Sequence, residues 1–381
     1  MKRYLEAIAA RDLTKKMVFI TGPRQAGKTT LSRAVMTQMV GSQYLNYDVA
    51  EDRAVIERHQ WSARAPLLVL DEIHKMPQWK SWLKGVYDGK PAAQQLLVTG
   101  SARLDTFRQS GDSLAGRFFA LRLHPISVRE WCEQTGASAE DALTHLLARG
   151  GFPEPCLATS VQEAERWRRP YFDGLVRDDV LEFSRLTEVQ AMRLFAQMLR
   201  TRVGSPLSLA SIARDLHISP VTLKKYLEIL EALYIVFTVR PWSKNIARST
   251  LQSPKVYFYD TGLVIGDAGV QFENLVACAL LKHSEYLNDT QGRETGLHYL
   301  RTKDGTEVDF ALSEGETLSD LIECKLTDPK PHRALIRFAG EWPQARSVQL
   351  VRDLRQPRLH EWGDVKLEVQ SAAGWLNGLA A

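Results

Sequence analysis

Residues 22 to 29 of this 381-residue chain are Gly22-Pro23-Arg24-Gln25-Ala26-Gly27-Lys28-Thr29, which match the pattern GxxxxGK[ST] at every fixed position. The apolar run Met17–Thr21 precedes the pattern and a helical pattern begins near Lys28, as a phosphate-binding loop requires. Glycine lets backbone N–H groups close around phosphate oxygens, and the N-terminus of the following helix favours anions. The stretch therefore predicts a nucleotide site, and we expect it to bind ATP.

Two side chains of this loop have specific predicted roles. Lys28 is expected to reach the β- and γ-phosphates, and the Thr29 hydroxyl is expected to bind Mg²⁺. The other predicted nucleotide contacts are Gly22, Pro23, Arg24, Gln25, Ala26, Gly27 and Thr30.

An acidic pair follows a second apolar run. Leu67–Leu70 is continuously apolar, and Asp71 and Glu72 come directly after it. Behind a phosphate loop, such a strand delivers Asp71 to Mg²⁺ and places Glu72 to orient or deprotonate the attacking water. The pair therefore predicts ATP hydrolysis, and an ordinary acidic turn at a strand end is the alternative.

Strand and helix patterns alternate from Lys16 to about Arg122, with a third apolar run at Gln95–Thr99. Short apolar strands separated by helical stretches predict an α/β fold with a parallel sheet covered on both faces. From about Pro125 to Arg202 the pattern is almost entirely helical.

The bulk composition narrows the class of protein. Apolar residues make up 44% and charged residues 25%, and the net charge of +4 permits a nucleic-acid partner without demanding one. The four cysteines form no CxxC pair, so we expect neither a disulfide framework nor a zinc site. Because no signal-peptide pattern and no run of about 20 apolar residues is present, we expect a cytoplasmic protein with no membrane partner.

Several motifs, taken in order, resemble a widespread prokaryotic family of AAA-type ATPases with a C-terminal domain of uncertain function. The resemblance implies an ATPase core that uses ATP and Mg²⁺, a helical lid and a DNA-binding-like C-terminal part. The motifs are GPRQAGKTTL, Tyr44–Asp48, Leu67–Trp79, Thr99–Ala102, Ser113–Arg117, His124–Trp131 and Gly150–Pro155.

In the AAA arrangement, the third strand ends in a polar residue that faces the γ-phosphate. Ser101 or Thr99 is expected to take this place, and an ordinary strand-end turn is the alternative. Arg103 and Arg117 are candidates for the cation that stabilises transition-state charge, unless they form surface salt bridges. An arginine that acts on a neighbouring subunit would require a homo-oligomer.

A helix–turn–helix pattern lies in the second half of the chain. Ser208–Leu216 and Pro220–Leu233 are amphipathic, with Ser219 as a helix cap before Pro220. The pattern resembles a winged helix with DNA as its partner, although such domains also serve as lids or protein contacts. The predicted DNA-facing residues are Thr222, Lys224, Lys225, Arg240, Lys244 and Arg248.

The last region resembles the PD-(D/E)xK nuclease core. Asp309 lies on one predicted strand, Glu323 and Lys325 share a face of the next, and Glu273 lies on a preceding helix. The three carboxylates are expected to bind Mg²⁺, and Lys325 to orient the water or neutralise developing charge. Ordinary amphipathic strands, or a nuclease fold kept as an idle binding platform, are the alternatives.

These inferences predict four segments: an ATPase core at 1–124, a helical lid at 125–204, a winged helix at 205–262 and a nuclease-like domain at 263–381. The predicted function is ATP-dependent remodelling or metal-dependent cleavage of DNA. An ATP-driven switch that binds protein partners is the alternative.

Overall fold

The computed structural model describes residues 1–100, 114–175, 186–243, 253–363 and 365–381. The chain divides into two compact units. Unit 1 is Met1–His124 with Ala232–Tyr234, and unit 2 is Pro125–Glu231 with Ile235–Ala381.

Unit 1 contains a five-stranded sheet in which every pairing is parallel. The strands are β1 (Met17–Thr21), β2 (Gln43–Asn46), β3 (Leu67–Asp71), β4 (Gln95–Thr99) and β5 (Phe118–Arg122), in the order β2-β3-β4-β1-β5. All residues of β1 and β3 are buried, which is why these strands are continuous apolar runs. The predicted parallel α/β sheet is confirmed.

The helices of unit 1 connect these strands and cover the sheet. Phe19, Leu70 and Trp79 belong to a core cluster between sheet and helix. Because all five strands run in one direction, the loops after β1, β3 and β4 meet at the same edge of the sheet. The helices are α1 (Glu6–Leu13), α2 (Lys28–Thr37), α3 (Ala50–Glu57) and α4 (Trp79–Gly89).

Unit 2 begins with helices, as the pattern from Pro125 predicted. Helix α8 carries Pro170 inside it, and Ser127, Ser138 and Ser160 cap the starts of three helices through their hydroxyl oxygens. The helices are α5 (Val128–Thr135), α6 (Ala139–Arg149), α7 (Pro153–Leu157), α8 (Val161–Gly174), α9 (Leu186–Arg200), α10 (Leu209–Leu216) and α11 (Pro220–Ala232).

The rest of unit 2 is built on an eight-stranded mixed sheet, in the order β12-β13-β11-β10-β9-β8-β6-β7. Its strands are β6 (Val236–Pro241), β7 (Lys255–Phe258), β8 (Thr295–Arg301), β9 (Glu307–Glu314), β10 (Thr317–Lys325), β11 (Arg346–Val351), β12 (Arg358–Trp362) and β13 (Val365–Ser371). The accompanying helices are α12 (Ala268–Gln291), α13 (Arg333–Glu341) and α14 (Ala372–Asn377).

Strands β6 and β7, which follow the helix–turn–helix segment, form an antiparallel pair. Strand β6 also pairs with β8, so this pair extends the sheet that carries β9 and β10. Apart from Ala232–Tyr234, the segments predicted as lid, winged helix and nuclease-like domain lie in unit 2. Within the described part of the chain, no helix has the length and apolar character needed to cross a membrane.

Candidate functional site

The phosphate loop has the backbone that its glycines allow. Gly22 has a φ of 144°, and a Cβ placed there would lie 2.3 Å from the carbonyl oxygen of Leu123. Gly27 has a φ of 97° and caps the start of α2. Gln25 also adopts the left-handed region, with a φ of 61°. The loop is therefore a cradle in which a side chain at position 22 would collide with the backbone.

Lys28 lies over this cradle. Its side chain is buried, and Nζ donates to the carbonyl oxygens of Gly22 at 2.9 Å and Pro23 at 2.7 Å. Of the other predicted contacts, Ala26 is buried within the loop, whereas Thr30 on α2 is exposed. The ammonium group is thus already held where a phosphate in the loop would meet it.

Asp71 lies at the carboxyl end of β3 and is 4% exposed. Its Oδ2 accepts a hydrogen bond from Thr29 Oγ1 at 3.2 Å and another from the hydroxyl of Tyr44. Its Oδ1 accepts from Thr99 Oγ1 and from the backbone N–H of Glu72. A hydroxyl and a carboxylate side by side at the phosphate loop fit Mg²⁺, which prefers oxygen ligands.

Thr99 and Tyr44 have roles here that the sequence did not indicate. Thr99 was expected to face the γ-phosphate, but its buried hydroxyl donates to Asp71. Tyr44 lies on β2, beside β3 in the sheet. Burial raises the pKa of the Tyr44 phenol, and the hydrogen bond to Asp71 raises it further, so Tyr44 stays a neutral donor. Tyr44 and Thr99 thus each donate a hydrogen bond to a different oxygen of the Asp71 carboxylate.

Glu72 directly follows β3 with a left-handed backbone, at a φ of 55°. Its N–H donates to the carbonyl oxygen of Thr99 at 3.0 Å. Burial raises the pKa of the Glu72 carboxyl, and the positive charge of Lys28 partly offsets this rise. His74 Nε2 lies 3.5 Å from Glu72 Oε2, and burial lowers the pKa of His74 to about 4, so His74 is neutral near pH 7.

The remaining polar candidates of unit 1 divide into two groups. Ser101 and Arg103 lie outside the described residues. Arg117 directly precedes β5, and its guanidinium binds both carboxylate oxygens of Asp88, at 2.9 and 3.0 Å. Since Met17 pairs with Phe118 at the start of β1, Arg117 lies at the opposite end of the sheet from the phosphate loop. A strand of five residues separates the two by about 17 Å.

The predicted recognition helix of unit 2 is α11. The Ser219 hydroxyl accepts from the N–H of Thr222 at 3.0 Å, which caps its first turn. Lys224 and Lys225 are exposed, and Arg240 on β6 is partly buried. Lys244 and Arg248 lie outside the described residues.

The carboxylates predicted from the nuclease pattern come together in unit 2. Asp309 and Glu323 lie on β9 and β10, which pair antiparallel with Phe310 opposite Ile322. The N–H of Asp309 donates to Glu323 Oε2 at 3.4 Å, and the N–H of Cys324 donates to Asp309 Oδ2 at 2.9 Å. Lys325 Nζ lies 2.7 Å from Glu323 Oε1, as expected for two residues on one face of a strand.

A further cation, Lys255, occupies the same cluster. Its side chain is 1% exposed, and Nζ lies 2.6 Å from Glu307 Oε1, 3.6 Å from Glu273 Oε1 and 4.0 Å from Asp309 Oδ1. The sequence motifs did not indicate Lys255, although a lysine that opens a buried apolar strand is a signal for a buried partner.

Two other residues complete this cluster. The Tyr257 hydroxyl donates to Glu273 Oε1 at 2.7 Å, and His332 Nδ1 lies 3.0 Å from Glu323 Oε1. Tyr257 lies two residues after Lys255 on β7, so alternation along the strand puts both on one face. His332 immediately precedes α13, and nothing in the sequence placed it beside β10.

The expected metal ligands Glu273, Asp309 and Glu323 belong to this cluster, and their binding of a metal ion stays a prediction. Among the residues that the structure describes, no group of three or more His, Cys, Asp or Glu side chains is arranged to hold a metal ion. Lys255 lies beside Glu273 and Asp309, while Lys325 and His332 contact one oxygen of Glu323.

The pKa values of Asp309 and Glu323 are shifted in opposite directions. Burial raises the pKa of Asp309 well above its usual range, and the carboxylates of Glu323 and Glu273 raise it further. For Glu323, burial acts to raise the pKa, but His332 and Lys325 outweigh it and lower the pKa.

Comparison with known families gives three matches along the chain. Residues 14–132 match the family described as AAA domain. Residues 140–272 match a domain of unknown function (DUF8612), and residues 268–367 match a domain of unknown function (DUF4143).

Individual relatives extend this comparison. The uncharacterized protein Rv2008c of Mycobacterium tuberculosis is 32% identical over 249 residues, which cover 65% of this chain and 55% of that protein. The chain thus matches about half the length of this relative. The uncharacterized protein MJ1544 of Methanocaldococcus jannaschii is 21% identical over 337 residues, covering 80% of this chain and 74% of that protein.

Comparison with solved structures gives matches with low TM-scores and low sequence identity. The Walker-type ATPase paby2304 of Pyrococcus abyssi has a TM-score of 0.44 and 12% identity, over 72% of this chain and 95% of that chain. A variant of Thermotoga maritima RuvB has a TM-score of 0.31 and 17% identity, over 61% of this chain and 88% of that chain. Residues 14–132, which match the AAA family and carry the phosphate loop, Asp71 and Glu72 at one edge of a parallel sheet, have an AAA-type P-loop ATPase-like fold.

Proposed function

We propose that the protein hydrolyses ATP with Mg²⁺ at the phosphate loop of unit 1. The observation that carries this proposal is the 3.2 Å contact between Thr29 Oγ1 and Asp71 Oδ2, directly beside the loop. Bound there, Mg²⁺ would neutralise charge on the β- and γ-phosphate oxygens.

The chain's own residues would perform the remaining work. Lys28 exchanges its two carbonyl contacts for phosphate oxygens, which adds a charge-assisted hydrogen bond to the bound nucleotide. Tyr44 and Thr99 fix the Asp71 carboxylate. Glu72, whose backbone is fixed by its bond to Thr99, orients the attacking water and accepts its proton.

Lys28→Ala tests the nucleotide site. We expect ATP binding to weaken by roughly 10- to 100-fold, because loss of a charged hydrogen bond costs about 1.5–3 kcal/mol and about 1.4 kcal/mol is tenfold. The measurement is a titration with a fluorescent ATP analogue. Lys15→Ala, an exposed lysine of the same unit, is the matched control and should bind as the wild type does. Equal affinity of the Lys28→Ala and wild-type proteins would contradict the assignment.

We further propose that the protein acts on DNA, and that unit 2 contacts the phosphate backbone through α11. Lys224 and Lys225 support this proposal because both are exposed at the start of a capped helix. Adjacent exposed lysines attract phosphates without reading sequence. The competing function is an ATP-driven switch that binds protein partners, for which the same lysines would be ordinary solvated surface.

Replacing both lysines tests the DNA proposal. Lys224→Ala with Lys225→Ala should weaken binding about equally across DNA sequences, and should reduce the salt slope by roughly 1 for each lost phosphate contact. The measurement is fluorescence anisotropy with duplex DNA over a range of salt concentrations. Lys303→Ala with Lys330→Ala removes the same charge from other exposed positions of unit 2 and should have a smaller effect.

Binding that responds neither to the α11 substitutions nor to added salt would favour the protein switch. An equal loss in the control pair would show that only net charge matters, and would remove α11 as the contact.

DNA action could take the form of remodelling or of metal-dependent cleavage. Cleavage is supported by the meeting of Asp309, Glu323 and Lys325 on neighbouring strands, and it requires a metal ion between the carboxylates. Lys255 in the same cluster opposes this requirement. We therefore propose ATP-dependent remodelling as the form of DNA action.

A further inference from the structure

In unit 2, three carboxylates lie around one buried ammonium group, that of Lys255. Lys255 Nζ is in direct contact with Glu307 and lies within 4.0 Å of both Glu273 and Asp309. It also lies 5.3 Å from the ring centre of Tyr299, which adds a cation–π contact. Four side chains from β8, β9 and α12 thus surround one ammonium group.

Burial makes this ammonium necessary. The Lys255 side chain is 1% exposed, and Glu273, Glu307 and Asp309 are 19%, 20% and 19% exposed. Carboxylates taken this far out of water require a compensating charge, which a metal ion or a basic side chain can supply. In this chain a basic side chain is present, and Lys255 supplies part of that charge without a metal ion.

A divalent metal ion does not fit between these carboxylates while the Lys255 ammonium group is present. Mg²⁺ requires about six oxygen ligands in an octahedron at about 2.0–2.1 Å. An ion between Glu273 and Asp309 would lie against Lys255 and be repelled by it.

We infer that Lys255 is the built-in cation of the nuclease-like cluster, so that unit 2 binds no divalent metal there, and that removal of its ammonium group would create a divalent cation site. The cluster is then a structural ion network and not a cleavage site. This inference does not depend on ATP hydrolysis, because every residue in it belongs to unit 2.

The experiment counts bound Mn²⁺ by electron paramagnetic resonance in the full chain, without nucleotide. Each protein is compared with the same protein carrying Asp309→Asn, so that ions bound at the phosphate loop cancel. We expect the wild type and Asp309→Asn to bind the same number of ions. Lys255→Met should bind one Mn²⁺ more than Lys255→Met with Asp309→Asn. Lys303→Met, an exposed lysine of the same unit, is the matched control and should gain none.

Two results would overturn the inference. One is a Mn²⁺ ion bound by the wild type and lost in Asp309→Asn, since that ion would share the cluster with Lys255. The other is a folded Lys255→Met protein that gains no ion.

Thermal unfolding keeps the test decisive if Lys255→Met folds poorly. The inference predicts that Mn²⁺ shifts the unfolding midpoints of the wild type and of Asp309→Asn equally. It also predicts that the midpoint of Lys255→Met falls by several degrees and that Mn²⁺ raises it again. A Mn²⁺-dependent rise in the wild type that Asp309→Asn abolishes would identify a native metal site and refute the inference.

Discussion

Glu72→Gln is expected to leave ATP bound and to stop its hydrolysis. The substitution keeps the phosphate loop, Lys28 and the Thr29–Asp71 pair, so the contacts that hold ATP and Mg²⁺ remain. It removes the group that accepts the proton of the attacking water, and such proton transfer contributes roughly 10²–10⁴-fold to the rate. Turnover should therefore fall by at least about 100-fold in a phosphate-release assay, with unchanged affinity for ATP.

The matched control for this prediction is Glu51→Gln, which makes the same chemical change at an exposed carboxylate on α3 of the same unit. Its turnover should equal that of the wild type. A Glu72→Gln protein that hydrolyses ATP at the wild-type rate would show that another group activates the water.

Arg117→Ala is expected to reduce turnover by roughly 10³-fold or more without weakening ATP binding, the range known for arginine fingers. This prediction holds only if Arg117 acts on another copy of the chain. Because Arg117 lies about 17 Å from the phosphate loop of its own chain, at the far end of the sheet, it can only meet the γ-phosphate of a neighbouring copy. The arginine-finger prediction therefore requires a homo-oligomer whose turnover number rises with protein concentration.

Asp88→Ala is the informative control, because it removes the carboxylate that Arg117 binds while keeping the arginine. If Arg117 acts on a neighbour's nucleotide, turnover of this variant should stay within a few-fold of the wild type. If the Arg117–Asp88 pair only stabilises unit 1, both variants should lower the unfolding midpoint alike and neither should change the rate per folded molecule. A turnover number independent of concentration in a monomeric protein would also refute the finger.

Mixing the Glu72→Gln and Arg117→Ala proteins distinguishes a role of Arg117 in a neighbour's site from a loss of folded protein in either variant. A neighbour that supplies Arg117 to a chain that retains Glu72 forms a complete site, even when each chain is defective elsewhere. Glu72→Gln and Arg117→Ala proteins, each inactive alone, should therefore regain part of the wild-type activity when mixed. No recovery in a mixture that forms hetero-oligomers would place Arg117 outside the site.

The sequence by itself determined the sites whose residues lie next to one another in the chain. The glycines and Lys28 of the phosphate loop, and the strand that ends in Asp71 and Glu72, are contiguous and are fixed by backbone geometry and burial. Alternation along one strand likewise placed Glu323 and Lys325 on one face. The parallel sheet followed from the spacing of apolar runs.

Only the tertiary structure decided which distant residues share these sites. Tyr44 and Thr99 reach Asp71 because the strand order β2-β3-β4 puts both neighbours beside β3, and sequence spacing does not give that order. Arg117 lies far from the loop because it precedes a parallel strand that starts at the opposite edge of the sheet. The carboxylate pattern of the last region predicted that Asp309, Glu323 and Lys325 lie close together, as they do, and the metal ion stays a prediction. Lys255, 54 positions before Asp309 in the sequence, lies beside those carboxylates only in the folded chain, where we infer that its buried ammonium takes the place of a metal ion.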